Sequence, residues 1–307
     1  MSKQGGSGGS VRAQPFLDAD RRRAEEWAEK MRQRALGEHT PPPLRPLKKA
    51  KLRRRRHLVI GDSHAHPDTP NHRFEWLGRM IAEREPDVVV DIGDSADMAS
   101  LLGYEKGNKG PIFEGHRYWM DVEAYIDAKE RMADTMRPCS PRLVKTDGNH
   151  EHRIERLLTV EPRFVGVVGP HNLMDKELGW ERYPYGEPVE IDGIHYCHAF
   201  MRYGREIGGV MPTRSVALKL GAGVTRVQGH SHQFQWYEQG DAALLHKDRL
   251  ISTVHAGCYF DVRGEAHRWA NDDVRWWRPG ILEVEVEGGQ IHSHTWTSLQ
   301  DVQAMYG

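Results

Sequence analysis

The amino-acid sequence predicts an α/β fold that begins at His57 and runs to residue 307, preceded by a basic arm over residues 1–56. Three short β-rich runs end in polar, glycine-containing sequence: residues 57–60, 88–92 and 143–146. Between them, apolar residues recur at helical spacing, and such alternation of strands and helices is typical of βαβ units. The second half of the chain is richer in strands and includes a predicted hairpin over 189–198 with an Asp-Gly turn.

Length and composition limit the class of protein. A chain of 307 residues, of which 38% are apolar and 28% charged, can form one large or two small domains with a packed core. No run approaches the roughly 18 consecutive apolar residues of a membrane span, and no apolar signal region stands near the first residue. The three cysteines lack CxxC spacing, so a disulfide framework or thiolate zinc site is not expected. We therefore expect an intracellular, cytoplasmic protein without a membrane partner.

Charge is divided unevenly along the chain. Residues 1–56 carry 16 basic and 6 acidic residues and the remainder carries 27 and 38, so the net charge of -1 hides a split of +10 and -11. We expect a flexible leader over 1–10 and a short helix over 17–36, whose narrow apolar stripe would dock on the body or on a sister subunit in a homo-oligomer. The basic run 48–56 is typical of a solvated surface, and the alternative is contact with nucleic acid.

Polar clusters follow five of the predicted strands, and the carboxyl ends of parallel strands are where chemistry collects in such sheets. They are Asp62-Ser63-His64, Gly93-Asp94, Gly148-Asn149-His150-Glu151, His198 and Gly229-His230-Ser231-His232. Their donors are carboxylate, imidazole and amide groups without thiolate, a set that suits Zn, Mn or Fe. Two carboxylates, one amide and four imidazoles exceed the needs of one ion, whereas a bridging carboxylate would let them hold two ions roughly 3.5–4 Å apart.

The ordered set of motifs resembles that of the calcineurin-like metallophosphoesterases, in the style of phage and bacterial members, over residues 57 to about 260. The resemblance implies a four-layer α/β/β/α sandwich with two mixed sheets and a pair of divalent ions, with Mn expected to serve best in assays. It implies one metal site formed by Asp62, His64 and His232. It implies a second site formed by Asn149, His198 and His230. Asp94 would bridge both ions, and His150 would face the substrate as a general acid or transition-state donor.

The fourth motif departs from the family pattern. The family usually has His-Gly there, whereas Ala199 follows His198 in this chain. His195, three residues earlier, therefore stays an alternative ligand. If the protein is encoded by a phage, the expected compartment is the cytoplasm of the host cell.

Residues beyond the metal ligands are candidates for contact with substrate. The stretch 98–116 is predicted to be a long polar loop that overhangs the metals, and His116 at its end is a candidate contact. Arg153 would reach a phosphate if a helix begins beside the third motif, and the alternative is a surface cation. A tryptophan- and arginine-rich segment near the C-terminus could stack on bases, although a packed edge with snorkelling cations is the commoner arrangement: Arg268, Trp269, Arg275, Trp276, Trp277 and Arg278.

The resemblance implies hydrolysis of phosphoester bonds by in-line attack of a hydroxide shared between the two ions. Ala65 and the pair Met98-Ala99 stand where the protein-phosphatase branch has glycine and Arg-Gly, which argues against that branch. The motif style resembles phage and bacterial phosphoesterases, which include DNA exonucleases, so a phosphodiesterase or nuclease acting on DNA or RNA is the leading expectation. A phosphomonoesterase for a small molecule or phosphoprotein is the alternative. A non-catalytic metal-binding scaffold is a further alternative, disfavoured because His150 and all seven ligand residues are present.

Overall fold

The computed structural model describes residues 22–27, 29, 54–106, 115–209, 211–221, 223–240, 250–262 and 274–307. The chain divides into two units, residues 1–40 and 41–307. In the first unit, residues 22–27 are helical and lie inside the predicted helical segment 17–36. The predicted leader over 1–10 and the basic residues 48–53 lie outside the described residues. The predicted domain start at His57 stays a prediction, although the first strand already begins at Arg55.

The second unit alternates strands and helices in its first half and is dominated by strands in its second. Its elements are, in chain order, β1 (Arg55–Ile60), α1 (His72–Arg84), β2 (Val88–Asp91), α2 (Ala99–Lys106), α3 (Tyr118–Thr135), β3 (Arg142–Thr146), α4 (His152–Val160), β4 (Glu181–Tyr183), β5 (Val189–Ile191), β6 (Ile194–Tyr196), β7 (Met201–Arg202), β8 (Arg205–Glu206), α5 (Pro212–Leu220), β9 (Thr225–Gln228), β10 (Phe234–Gly240), β11 (Leu250–Ala256), β12 (Gly280–Glu287), β13 (Gln290–Ser298) and α6 (Leu299–Tyr306). No helix among the described residues combines the length and the apolar character that crossing a bilayer requires.

Two mixed sheets contain all of these strands except β7 and β8, which pair with each other. The larger has the order β13-β12-β1-β2-β3-β4, in which β1 to β4 are parallel and β12 and β13 are antiparallel additions. The smaller has the order β10-β11-β9-β6-β5, with β6, β9 and β11 parallel. The central strands β1 and β2 are buried on both faces, which explains their unbroken apolar runs. The predicted α/β fold with two mixed sheets is therefore confirmed.

Two hydrophobic cores lie on opposite faces of the larger sheet. In the first, side chains of α1, α3 and α6, such as Phe74, Met132 and Val302, pack with Leu58 and Ile60 of β1. In the second, Val59 and other residues of the larger sheet pack with the apolar side chains of the smaller one. The helix α5 lies beside β10 and β11. Alternate side chains of β1 thus serve different cores, as the two-residue period of a strand requires.

The close approach of α1 and α3 depends on a glycine. A Cβ atom at Gly78 would lie 2.0 Å from Thr135 Oγ1 and 2.5 Å from the Met132 carbonyl oxygen, so no larger residue fits without moving a helix. α1 ends where Glu85 adopts a left-handed conformation with φ of 46° and donates its backbone N–H to the Ile81 carbonyl. This packing fixes the helix that links β1 to β2, the two strands whose ends carry the first two motifs.

The local predictions have mixed outcomes. The first three strands begin and end within two residues of the predicted runs, and the predicted hairpin is present as β5 and β6, with Asp192 and Gly193 at φ of 53° and 80° in its turn. The prediction of a loop over 98–116 is wrong at its start, because α2 occupies Ala99–Lys106. A backbone N–H group in the first turn of α2 finds its hydrogen-bond partner on another helix. The Ser100 N–H donates to Asp121 Oδ2 of α3 at 3.0 Å.

Candidate metal centre

The sheet topology brings the predicted motifs together. Asp62, Asp94 and Asn149 follow β1, β2 and β3, which are adjacent and parallel, so their side chains lie at one edge of the larger sheet. His198 and His230 follow β6 and β9, which are adjacent and parallel in the smaller sheet. Because the two sheets pack face to face, the two sets of strand ends meet.

One cluster of donor atoms contains Asp62, His64 and His232. His64 Nε2 lies 3.2 Å from His232 Nε2, and His232 Nε2 lies 3.0 Å from Asp62 Oδ2 without a well-aligned hydrogen bond. His64 Nδ1 lies 2.8 Å from Asp97 Oδ1. An ionised carboxylate only accepts, so Nδ1 carries the hydrogen and the Nε2 lone pair of His64 faces the cluster. Lone pairs that converge in this way favour the binding of a cation.

A second cluster contains Asn149, His198 and His230. Asn149 Oδ1 lies 3.1 Å from His198 Nε2 and 3.0 Å from His230 Nδ1. The opposite ring nitrogens face acceptors: His198 Nδ1 lies 3.0 Å from the Ile92 carbonyl oxygen and His230 Nε2 lies 3.0 Å from Glu206 Oε2. In its neutral form, each ring would therefore carry its hydrogen on the outer nitrogen and turn the lone pair of the inner nitrogen towards the amide oxygen. This orientation is typical of histidines that bind metal ions.

Asp94 belongs to both clusters. One group of atoms within 4.8 Å of one another comes from Asp62, His64, Asp94 and His232, and another comes from Asp94, His198 and His230. Asp94 Oδ2 lies 3.4 Å from His198 Nε2. These buried groups could hold a metal ion. The structure also brings together a third group, formed by His64, Asp97 and His150.

Electrostatics in the cluster favour bound positive charge. Burial raises the pKa of Asp94, but the charges of His150 and His198 hold it well below its ordinary value overall. Burial lowers the pKa of His198, but the charges of Asp94 and Asp62 raise it to about 10. The carboxylates therefore stay ionised and stabilise a nearby positive charge. That charge is either a proton on the imidazole or a metal ion that replaces the proton.

Backbone strain is concentrated in the same place. Four of the predicted ligands have positive φ angles although none is glycine: His64 (42°), Asp94 (50°), His230 (70°) and His232 (57°). Non-glycine residues rarely adopt this region, and each such residue costs of order 1–3 kcal/mol that surrounding structure must offset. The sequence thus folds locally so that the side chains converge, at a cost in backbone energy.

Glu151 offsets part of this cost. Its Oε1 accepts the backbone N–H groups of Ser95 and Ala96 at 2.7 and 2.8 Å, and its Oε2 accepts those of Asp94 and Gly148 at 3.0 and 2.8 Å. One buried carboxylate therefore ties the loop after β2 to the loop after β3. Glu151 belongs to the third motif, but its role could not be predicted from the sequence, because its four donors come from two segments far apart in the chain.

His150 lies next to the ligand cluster and is oriented by Asp97. His150 Nδ1 lies 2.6 Å from the Asp97 carbonyl oxygen, and its Nε2 lies 3.8 Å from Asp94 Oδ2. Arg153 donates to the same carbonyl oxygen at 2.8 Å and is itself buried. The predicted contact of Arg153 with substrate stays a prediction, as does that of His116, which is half-buried with its ring 5.7 Å from that of His66.

The rival positions in the fourth motif are separated by the structure. His198 is buried within the second cluster, whereas His195 lies on β6 with Nε2 3.7 Å from the exposed Glu190 carboxylate. The wall of the first cluster includes aromatic residues that were not predicted to line the metal centre. The Trp277 ring lies 4.3 Å from that of His232, and Phe260 packs edge-on against His64 at 5.2 Å. Trp277 belongs to the segment considered for stacking on bases, but the place of both rings beside these histidines could not be predicted, because it depends on how the C-terminal segments return to the site.

No family model matches the chain, and no curated protein matches it. The resemblance to metallophosphoesterases therefore stays an expectation that depends on the ordered motifs.

Proposed function

We propose that the chain is a binuclear metallophosphoesterase that resembles the calcineurin-like enzymes. The observation that carries this proposal is the membership of Asp94 in two converging clusters of donor atoms. The packing of the fold supports it as well. Helices α1, α3 and α6 cover one face of the larger sheet, the smaller sheet covers the other, and α5 lies beside the smaller sheet. That arrangement agrees with the expected four-layer α/β/β/α sandwich.

The donor set fits two divalent ions of Mn, Zn or Fe. Asp62, His64 and His232 would hold one ion, and Asn149, His198 and His230 would hold the other. Asp94 would contact both. When bound, such a pair would supply positive charge to the phosphoryl oxygens and would lower the pKa of a water molecule. The protein supplies fixed ring orientations, through the hydrogen bonds of the outer histidine nitrogens, and a buried setting in which these charges interact strongly.

His150 is the residue proposed to act on the substrate. Its Nδ1 is held by the Asp97 carbonyl, which leaves Nε2 on the side of Asp94. There, Nε2 would donate a hydrogen bond to the phosphoryl group and a proton to the leaving oxygen. Asp97 would position both His64 and His150, because its carboxylate faces the ring of the first and its carbonyl the ring of the second.

A phosphodiester in DNA or RNA is the proposed substrate, and a phosphomonoester is the alternative. The full chain purified with Mn should be tested on bis-p-nitrophenyl phosphate, p-nitrophenyl phosphate, and single- and double-stranded DNA, with metal content measured on the same sample. Faster turnover of the diester and of DNA supports the proposal. Faster turnover of the monoester favours the alternative. Metal binding without turnover of any of them would favour a non-catalytic scaffold and contradict the proposal.

A further inference from the structure

A short hairpin beside the second cluster displays an aromatic ring to solvent. Strands β7 and β8 are joined by Tyr203 and Gly204, at φ of 54° and 71°, a tight turn with both central residues left-handed. The Tyr203 side chain is 89% exposed, and the Arg202 guanidinium lies 5.1 Å from the centre of its ring. Arg205 on the returning strand is exposed too. A ring this exposed contributes little to packing.

The same hairpin is joined to a predicted metal ligand. Glu206 Oε2 lies 3.0 Å from His230 Nε2, and Glu206 Oε1 accepts a hydrogen bond from the Tyr185 hydroxyl. Glu206 follows Tyr203 by three positions in the chain. At roughly 3.3 Å per residue, the backbone of Tyr203 is within about 10 Å of that of Glu206. The turn that carries Tyr203 therefore lies within about 10 Å of the backbone of a residue that contacts the second cluster.

A second aromatic ring is displayed beside the first cluster. Trp276 is 63% exposed, and the Arg275 guanidinium lies 5.9 Å from the centre of its ring. The next residue, Trp277, packs edge-on against His232 at 4.3 Å. An exposed aromatic residue preceded by an arginine thus lies one residue from a contact of the first cluster and three residues from a contact of the second. We call Arg202–Tyr203 and Arg275–Trp276 the two stacking pairs.

We propose that the two stacking pairs hold bases of a single-stranded polynucleotide on either side of the metal centre. This inference deepens the proposed function and rests on it. Every base has a π-face, so exposed aromatic rings bind single strands without regard to sequence, and neighbouring arginines add contacts to phosphate and cation–π attraction. Bases in a duplex are already stacked, so the proposal predicts a preference for single strands. Isolated exposed aromatic residues are ordinary, but two arginine-preceded rings beside one ligand centre form a binding track.

The test is binding, measured apart from turnover. A fluorescein-labelled oligothymidylate of about 12 nucleotides with phosphorothioate linkages is titrated with the full metal-loaded chain, and fluorescence anisotropy gives Kd. Tyr203→Ala and Trp276→Ala should each weaken binding by about 5- to 150-fold. Tyr203→Phe should keep the wild-type Kd, whereas Tyr203→Leu, which keeps an apolar side chain but no ring, should weaken binding as alanine does.

Met305→Ala is the matched control, because Met305 is another exposed apolar residue, 51% accessible, on α6 next to α1. It should leave Kd unchanged. Equal Kd values for Tyr203→Ala, Trp276→Ala and Met305→Ala would overturn the proposal, and so would a wild-type chain that does not bind the oligonucleotide or binds a duplex of the same length more tightly. Loss of hydrolysis with intact, ring-dependent binding would contradict the proposed function alone.

Discussion

Glu151→Gln tests whether the strained loops of the metal centre depend on one carboxylate. The four backbone N–H groups of Asp94, Ser95, Ala96 and Gly148 all donate to Glu151. A glutamine has one accepting oxygen, so its amide group would face two of these donors with hydrogens of its own. Two hydrogen bonds to a charged acceptor are lost, at about 1.5–3 kcal/mol each, and the free energy of unfolding should fall by about 3–6 kcal/mol.

In a domain of this size, each kcal/mol corresponds to roughly 2–4 °C, so Tm should fall by roughly 6–24 °C. Metal affinity should fall by about 10–100-fold, as expected when groups that orient ligands are changed. Urea denaturation measures the first effect and titration of the metal-free protein with Mn measures the second. Glu155→Gln is the matched control. Glu155 lies on α4, and its half-exposed carboxylate contacts His152 and Arg182 near the surface.

Exposed pairs of that kind are worth about 0–1 kcal/mol, so Glu155→Gln should change stability little. If the two variants unfold at the same urea concentration and bind Mn equally, the loops keep their shape without the Glu151 carboxylate and the reasoning is refuted.

Three further predictions concern the same region. Asp94→Asn should lower the occupancy of both metal sites in elemental analysis, and loss of only one ion would contradict the bridging role. His150→Ala should retain its metal and lose turnover on the order of 10²–10⁴-fold, whereas parallel loss of metal and activity would make His150 a ligand. Burial raises the pKa of Asp121 to about 7, although the hydrogen bonds from Ser100 lower it. The folded state therefore binds a proton that the unfolded state has lost, and the contribution of Asp121 to stability is lost as pH rises from about 4 to 7. Asp121→Asn should remove this pH dependence. Its free energy of unfolding in urea denaturation should therefore rise, relative to that of the wild type, by on the order of a few kcal/mol between about pH 4 and pH 8. A difference between the two proteins that does not change with pH would contradict the prediction.

The parts of the fold that the sequence predicted well are those set by local patterns. Strands β1, β2 and β3 are short apolar runs that stop at glycine-containing motifs, and both features can be read within ten residues. The strand-end rule then placed Asp62, Asp94 and Asn149 at one edge of the sheet, where the structure has them. Parallel pairing makes such edges coincide, so the meeting of these three residues at one edge was predictable without knowledge of their distances.

The features that escaped prediction depend on partners distant in sequence. Helix α2 was predicted as loop because its first-turn N–H is satisfied by Asp121, about twenty residues later on α3. The role of Glu151 depends on donors from a loop more than fifty residues earlier. Glu206, which faces His230 Nε2, lies on a two-residue strand whose place could not be read from its composition. In each case, a polar side chain contacts a segment that is distant in sequence, so no local pattern indicates the contact.

The last residues of the basic arm lie close to acidic side chains of the body. Arg54 lies 3.6 Å from the carboxylates of Glu285 and Glu287, and Arg55 lies 3.1 Å from that of Asp192. These arginines stand at the start of β1, whereas the metal ligands follow its end, so they lie at the far end of the strand from the centre. Their charge is directed to acidic residues of the body and not to a phosphate at the metals. Positive charge for a polyanionic substrate would come from segments that reach the centre, such as the β7–β8 hairpin with Arg202 and Arg205.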